Sequence, residues 1–131
     1  MDLQGNSIIV DSNVIIAAND PNDSDHEHAL FWADKIKDKT IYLHQYIVQE
    51  VATVLCYKFG TEVVKDFLEN VLNSENIILP FSDINKEMEF FLKLNKKISF
   101  ADATLIKISK EKGIPLLTFD KQIISILRNL K

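Results

Sequence analysis

Four short apolar runs alternate with longer segments whose apolar residues recur at helical spacing. The runs are Ile8-Ile9-Val10, Ile41-Tyr42-Leu43, Ile77-Ile78-Leu79 and Leu116-Leu117. They are continuous rather than alternating, the pattern of strands covered on both faces. Strands separated by helices imply right-handed crossovers and a parallel sheet. The expected fold class is therefore α/β: a three-layer α/β/α sandwich around a central parallel sheet of four to five strands. No repeat, low-complexity tract or linker divides the 131 residues. Residues 1–131 are read as one domain, long enough for a real core.

Caps and spacing place the helices. The first starts at Ser12 or Asn13, both capable of capping it. The turn formers of Asp20 to Asp25 make a loop. A helix to about Lys37 follows, with Ala29, Trp32, Ala33 and Ile36 on one face. The next runs from Gln45 to Phe59 and stops at Gly60. A fourth begins near Thr61 and carries Val63, Val64, Phe67, Leu68, Val71 and Leu72. A fifth covers Asp83 to Leu94. The sixth runs from Ser99 to Gly113, a natural left-handed terminator. The last holds Ile123, Ile124, Ile126 and Leu127.

Hydrophobic residues at 47% and charged residues at 26% match a soluble globular chain rather than a disordered one. No apolar run reaches the roughly 18 to 20 residues of a spanning helix. Met1 to Asn6 lacks the basic and apolar regions of an export signal. Cys56 stands alone, so it cannot form an internal disulfide, and its helical setting suggests a small core residue. A cytoplasmic protein with no membrane partner is expected. The net charge of −4 argues against electrostatic wrapping of duplex DNA. An RNA substrate stays open, because acids gathered at a metal site drive the sum negative. Lys93, Lys96, Lys97, Lys107 and Lys110 are either a local basic patch or solvated helix faces.

Four acids stand where apolar neighbours are expected. Asp11 ends the first run, and Asp120 follows Leu116-Leu117-Thr118-Phe119. Glu50 lies three after Ile47 and four before Val54, on or beside a buried stripe, and Asp102 has the same relation to Leu105 and Ile106. Both are expected to point inward. Open parallel sheets build sites beyond the carboxyl ends of their strands, so the four can converge. Two carboxylates about 4 Å apart repel by roughly 4 kcal/mol at an effective dielectric of 20. Such a group needs a cation. Oxygen donors without His or Cys favour a hard ion, Mg²⁺ or Mn²⁺, which suits phosphodiester hydrolysis. Each acid also has a local reading. Asp11 or Asp102 could cap a helix, Glu50 could pair with a lysine, and Asp120 could sit in a loop.

The segments Ile9-Val10-Asp11-Ser12-Asn13-Val14-Ile15-Ile16, Val48-Gln49-Glu50-Val51, Ser99-Phe100-Ala101-Asp102-Ala103-Thr104-Leu105-Ile106 and Leu116-Leu117-Thr118-Phe119-Asp120 resemble the PIN-domain family. The chain looks most like VapC-type ribonuclease toxins of toxin–antitoxin pairs, across essentially its whole length. The resemblance implies Mg²⁺- or Mn²⁺-dependent RNA cleavage, with Asp11, Glu50 and Asp102 as core metal ligands. Asp120 matches the more variable fourth acid, and Asn13, Ser99 and Thr118 match polar positions that line the pocket. It also implies a homodimer and a small antitoxin partner. The acidic loop Asp20 to Glu27 departs from the pattern and could alter substrate access or antitoxin fit.

Two other readings compete. A phosphatase of the haloacid-dehalogenase type also starts with an acid after its first strand, but needs a second Asp where this chain has Asn13. A non-catalytic PIN-like domain would bind RNA or protein only. His26 and His28 are read as surface or loop residues, since side chains two apart diverge on a helix. Phe31, Trp32, Phe67, Phe90 and Phe91 are read as core or interface, and His44 stands alone. Gly5, Gly60 and Gly113 form no phosphate loop.

Overall fold

A computed structural model describes residues 5–130; Met1 to Gln4, part of the segment read for an export signal, and Lys131 lie outside the described residues. The elements are β1 (Ser7–Val10), α1 (Ser12–Asn19), α2 (His26–Ile36), β2 (Thr40–Tyr42), α3 (Gln45–Phe59) and α4 (Thr61–Asn73). They continue as β3 (Ile77–Ile78), α5 (Ile84–Leu94), α6 (Phe100–Lys112), β4 (Leu116–Leu117) and α7 (Lys121–Asn129). The four strands form one parallel sheet in the order β3-β2-β1-β4. This is the lower of the two strand numbers expected.

Both faces of the sheet are covered, which explains the continuous apolar runs. Ile9 and Leu116 face a cluster with Ile47, Val51 and Leu55 of α3, Leu105 and Ile106 of α6, and Ile123 of α7. Ile8, Val10 and Leu117 face the other way, onto Val14 and Ala17 of α1 and Ala29 and Ile36 of α2. Adjacent strand residues point to opposite faces, so each face takes its own helices. The helix stops are local. Asp83 and Ser99 cap α5 and α6 through their side chains. Gly60 and Gly113 end α3 and α6 at positive φ, where a Cβ is disfavoured.

The Cys56 expectation fails: its thiol is exposed. It lies one residue beyond Leu55, and the stripe Ile47, Val51, Leu55 leaves that direction to solvent. None of the described helices is long and apolar enough to cross a membrane.

One buried polar group was invisible in the sequence. His44 and Glu87 are 1% and 2% exposed. The Nδ1 of His44 caps α3 by accepting from the Tyr46 N–H at 3.0 Å. Tyr46 donates its hydroxyl to Glu87 Oε1 at 2.5 Å. Burial, then the Glu87 carboxylate, pushes the Tyr46 phenol up to about 12. Burial lowers the His44 imidazole against the pull of Glu87. The Glu87 Oε2 and His44 Nε2 atoms find no hydrogen-bond partner among the described residues. Removing the phenol therefore leaves a buried acid bare. Tyr46→Phe is expected to cost about 2 to 4 kcal/mol in thermal unfolding. Adding Glu87→Met to that variant should recover most of the loss, because an apolar pair needs no partner. A midpoint unchanged in Tyr46→Phe would show that Glu87 is not held as described.

Candidate active site at the carboxyl ends of β1 and β4

Strand order creates the site. The chain runs outward from β1 to β2 to β3, whereas β4 lies on the other side of β1. The crevice beyond the carboxyl ends of β1 and β4 is thus a topological switch point, where open α/β sheets place their sites. The register Val10↔Leu117 makes the next residues, Asp11 and Thr118, neighbours. The Asp11 N–H closes the ladder on the Leu117 carbonyl at 3.0 Å.

Asp11 is buried and held on all sides. Its Oδ1 accepts from the Ser12 N–H at 2.7 Å, capping α1. Its Oδ2 accepts from the Thr118 hydroxyl at 2.8 Å and from Asn13 Nδ2 at 3.3 Å. Asn13 also donates to Thr118 Oγ1 at 3.1 Å, and its Oδ1 accepts from the Phe119 N–H at 3.1 Å. A backbone N–H can only donate, so that last bond fixes which end of the Asn13 amide faces Asp11. Thr118 Oγ1 further accepts from the Asp120 N–H at 3.1 Å.

The other acids approach from the helices. Asp102 stands in the first turn of α6, its N–H bonded to the capping Ser99 Oγ at 3.0 Å. Asp120 caps α7, its Oδ1 accepting from the Gln122 and Ile123 N–H groups at 2.8 and 3.2 Å. Glu50 corrects the expectation: its residue is exposed, not inward, because it flanks the buried stripe of α3. Its carboxylate nonetheless turns to the site, accepting from the Ser12 hydroxyl at 2.7 Å. Ser12 thereby joins Asp11 to Glu50, which lies 38 positions beyond Ser12 itself, and its sequence context signalled only a cap. Ser99 acts as a helix cap.

The charges sense one another. Burial pushes the Asp11 carboxyl from 3.8 up to about 6; the Asp102 and Glu50 charges add to the rise, while Thr118 and Ser12 oppose it. Burial also raises Asp102, with Asp120 and Glu50 contributing and Ser99 opposing. Among the described residues, none of these four acids is in an ion pair. The acidic loop differs. Asp20 is bound to Lys58 of α3 at 3.0 Å, and this contact holds its carboxyl below the ordinary range. Its charge is spent on anchoring the end of α1.

The donor chemistry suits a hard divalent ion: carboxylates that repel one another and are in no ion pair with a described residue. As the side chains stand, no three acids, histidines or cysteines among the described residues are gathered closely enough to hold one. Glu50 is engaged by Ser12 and one oxygen of Asp120 by the α7 cap.

A family model for the PIN domain matches residues 8–128. The chain belongs to the PIN-domain family. The match runs from β1 into α7, so all four acids lie inside it. Among solved structures, this PIN domain is similar to VapC20 of Mycobacterium tuberculosis, described as a sarcin-ricin loop cleaving toxin. That match has a TM-score of 0.76 and 20% identity, covering 90% of this chain and 93% of that one. It is also similar to FitAcB of Neisseria gonorrhoeae, with a TM-score of 0.65 and 20% identity over 92% and 93% of the two chains. FitAB bound to an IR36 DNA fragment matches at 0.65 and 19% over 92% and 90%. Comparison with curated proteins gives no match. These likenesses show the fold.

Thr118 is the hub of the hydrogen bonds around Asp11, and its hydroxyl is testable alone. Thr118→Val keeps the shape but removes the donor to Asp11 and the acceptor for Asn13 and Asp120. Expected is a loss of about 1 to 3 kcal/mol in stability and roughly 10- to 100-fold in whatever activity or metal affinity depends on Asp11. The acid limb of the pH–rate profile should move upward, since the hydroxyl lowers the Asp11 carboxyl. Thr118→Ser should restore all three. An unmoved acid limb in the valine variant would separate Thr118 from Asp11.

Proposed function

We propose that this PIN domain is an endoribonuclease that hydrolyses RNA phosphodiester bonds with Mg²⁺ or Mn²⁺, and is the toxin of a type II toxin–antitoxin pair. One observation carries the reading. The buried Asp11 carboxylate sits at the switch point, coupled to Glu50 and Asp102 and through Asp102 to Asp120, with no basic partner among the described residues. These four acids would hold the ion. When bound, it lowers the pKa of water, polarises the phosphoryl oxygen and stabilises the leaving oxygen. The chain's own part is to aim and restrain. Thr118, Asn13 and the Ser12 N–H fix Asp11 before substrate arrives. Unneutralised, the same acids repel an RNA phosphate.

A similar fold in a protein described as a toxin supports a small antitoxin partner. For a homodimer, the support is an exposed apolar stripe on α5, Ile84, Met88 and Leu92, beside Phe81. Patches of that kind mark association surfaces, and light scattering would report the mass. A cytoplasmic location fits the absence of a spanning helix among the described residues. The haloacid-dehalogenase reading loses ground, because Asn13 occupies the position of the second Asp and its amide is spent on Asp11, Thr118 and Phe119.

The test is direct. Purified protein, incubated with total RNA in Mn²⁺, should create discrete new 5′ ends, and chelator should suppress them. Growth arrest on expression, relieved by a small protein encoded beside it, would support the toxin role. RNA left intact under every divalent ion would leave a binding domain.

A further inference from the structure

β4 is an edge strand, and a cavity of about 810 Å³ opens beside it. That volume lies within the roughly 300 to 1,000 Å³ of small-ligand sites. Its walls include Ile124 and Leu127 of α7, and Lys110, Lys121 and Arg128 stand among its lining residues with a single acid, Asp25. Thr118 and Phe119 line it too, and these residues touch Asp11 and Asn13. The cavity therefore adjoins the acid site through these two residues, although none of the four acids lines it. We propose that it seats the single-stranded RNA flanking the bond to be cut, its phosphates on the three cations and a base on the His28 ring.

The platform is built in advance. The exposed His28 ring stacks on Phe119 with centroids 4.8 Å apart and planes at 15°. The Trp32 indole donates to His28 Nε2 at 2.8 Å. An indole N–H can only donate, so Nε2 is the acceptor and the ring is held by a stack and a hydrogen bond together. A fixed aromatic face costs little entropy when a base stacks on it, and such stacking tolerates any sequence.

The charges fit a polyanion. Lys110, Lys121 and Arg128 are exposed, and none is in an ion pair with a described residue. Lys110 and Arg128 lie in the last turns of α6 and α7, where the helix dipole favours cations by itself. Lys121 does not share that explanation: it opens α7, where the dipole disfavours a cation. A chain of net charge −4 with an acidic cleavage site needs local cations to hold RNA beside it.

The identity of the ligand rests on the ribonuclease reading. The test uses the full chain, a fluorescein-labelled single-stranded RNA of mixed sequence, and anisotropy in chelator, with cleavage measured separately in Mn²⁺. The triple variant Lys110→Ala, Lys121→Ala, Arg128→Ala should weaken binding at least tenfold. It should also lower the salt slope by about 2, at roughly 0.7 per phosphate contact. His28→Ala should weaken binding about fivefold or more, while Lys65→Ala with Lys86→Ala, both exposed and outside the cavity, should bind as the parent. Thermal melts confirm that each variant folds. Parental cleavage with unchanged binding in the triple and His28 variants overturns the RNA subsite and leaves the function standing. A parent that binds through the cavity but cuts no RNA sinks the nuclease and keeps the subsite. A labelled glutamate-rich peptide that depends on the cations when RNA does not would make the cavity a protein site and overturn the proposal.

Discussion

Asp11→Asn should lower RNA cleavage by at least a thousandfold, about 4 kcal/mol of barrier, while making the chelator-treated protein harder to melt. The two effects have one cause. Asp11 is buried and its carboxyl is pushed from 3.8 up to about 6. The folded chain therefore keeps a proton there up to about pH 6, while the unfolded chain releases it near 3.8. Between those values folding binds the extra proton, so stability of the metal-free protein falls as pH rises through the window. Above it the penalty is complete, on the order of 3 kcal/mol for a group this deeply buried. Asparagine carries no such penalty, though it accepts less well from Thr118 and the Ser12 N–H. The expected gain is about 1 to 3 kcal/mol at pH 7 to 8, vanishing near pH 4. Heat denaturation across pH, with cleavage assayed in parallel, checks both halves. An asparagine variant that cuts like the parent would remove Asp11 from the chemistry.

The second large effect is that of the divalent ion. Saturating Mn²⁺ should raise the parental thermal midpoint, by about 2.7 kcal/mol of stability when the ion stands at a hundred times its Kd. The rise should disappear in Asp11→Asn and in Asp102→Asn, and weaken below about pH 6, where protons compete for Asp11. Glu50→Gln should reduce it less, since Glu50 is exposed and already bonded to Ser12. Chelation should abolish cleavage and restored Mn²⁺ should return it. Calorimetry that detects no heat with either Mn²⁺ or Mg²⁺, and midpoints indifferent to both, would show that the acids serve another purpose.

The family and the layer order were legible because they rest on periodicity and on residues close in sequence. Ile8-Ile9-Val10 and Leu116-Leu117 read as strands covered on both faces, and the two-cluster core bears this out. Asp11 and Asp120 were placed at strand ends by adjacency alone. Glu50 was read as inward because helical spacing put it near a stripe. Spacing does not tell the edge of a stripe from its centre, and the residue proved exposed. Cys56 was misread for the same reason.

Other features had no local signature at all. Ser12 reaches Glu50 across 38 positions, and Thr118 reaches Asp11 across 107. His44, Tyr46 and Glu87 form a buried polar group whose members look ordinary one by one. His28, read as a surface residue, is indeed exposed, yet it is clamped by Trp32 and Phe119. What the sequence determined on its own was short-range: which segments are strands or helices, where they stop, and which acids end a strand. The strand order β3-β2-β1-β4 and the packing of α3, α6 and α7 decided which acids come near enough for their charges to act on one another. Side-chain contacts between distant segments arise from burial of the two apolar faces, and no local spacing encodes their final geometry.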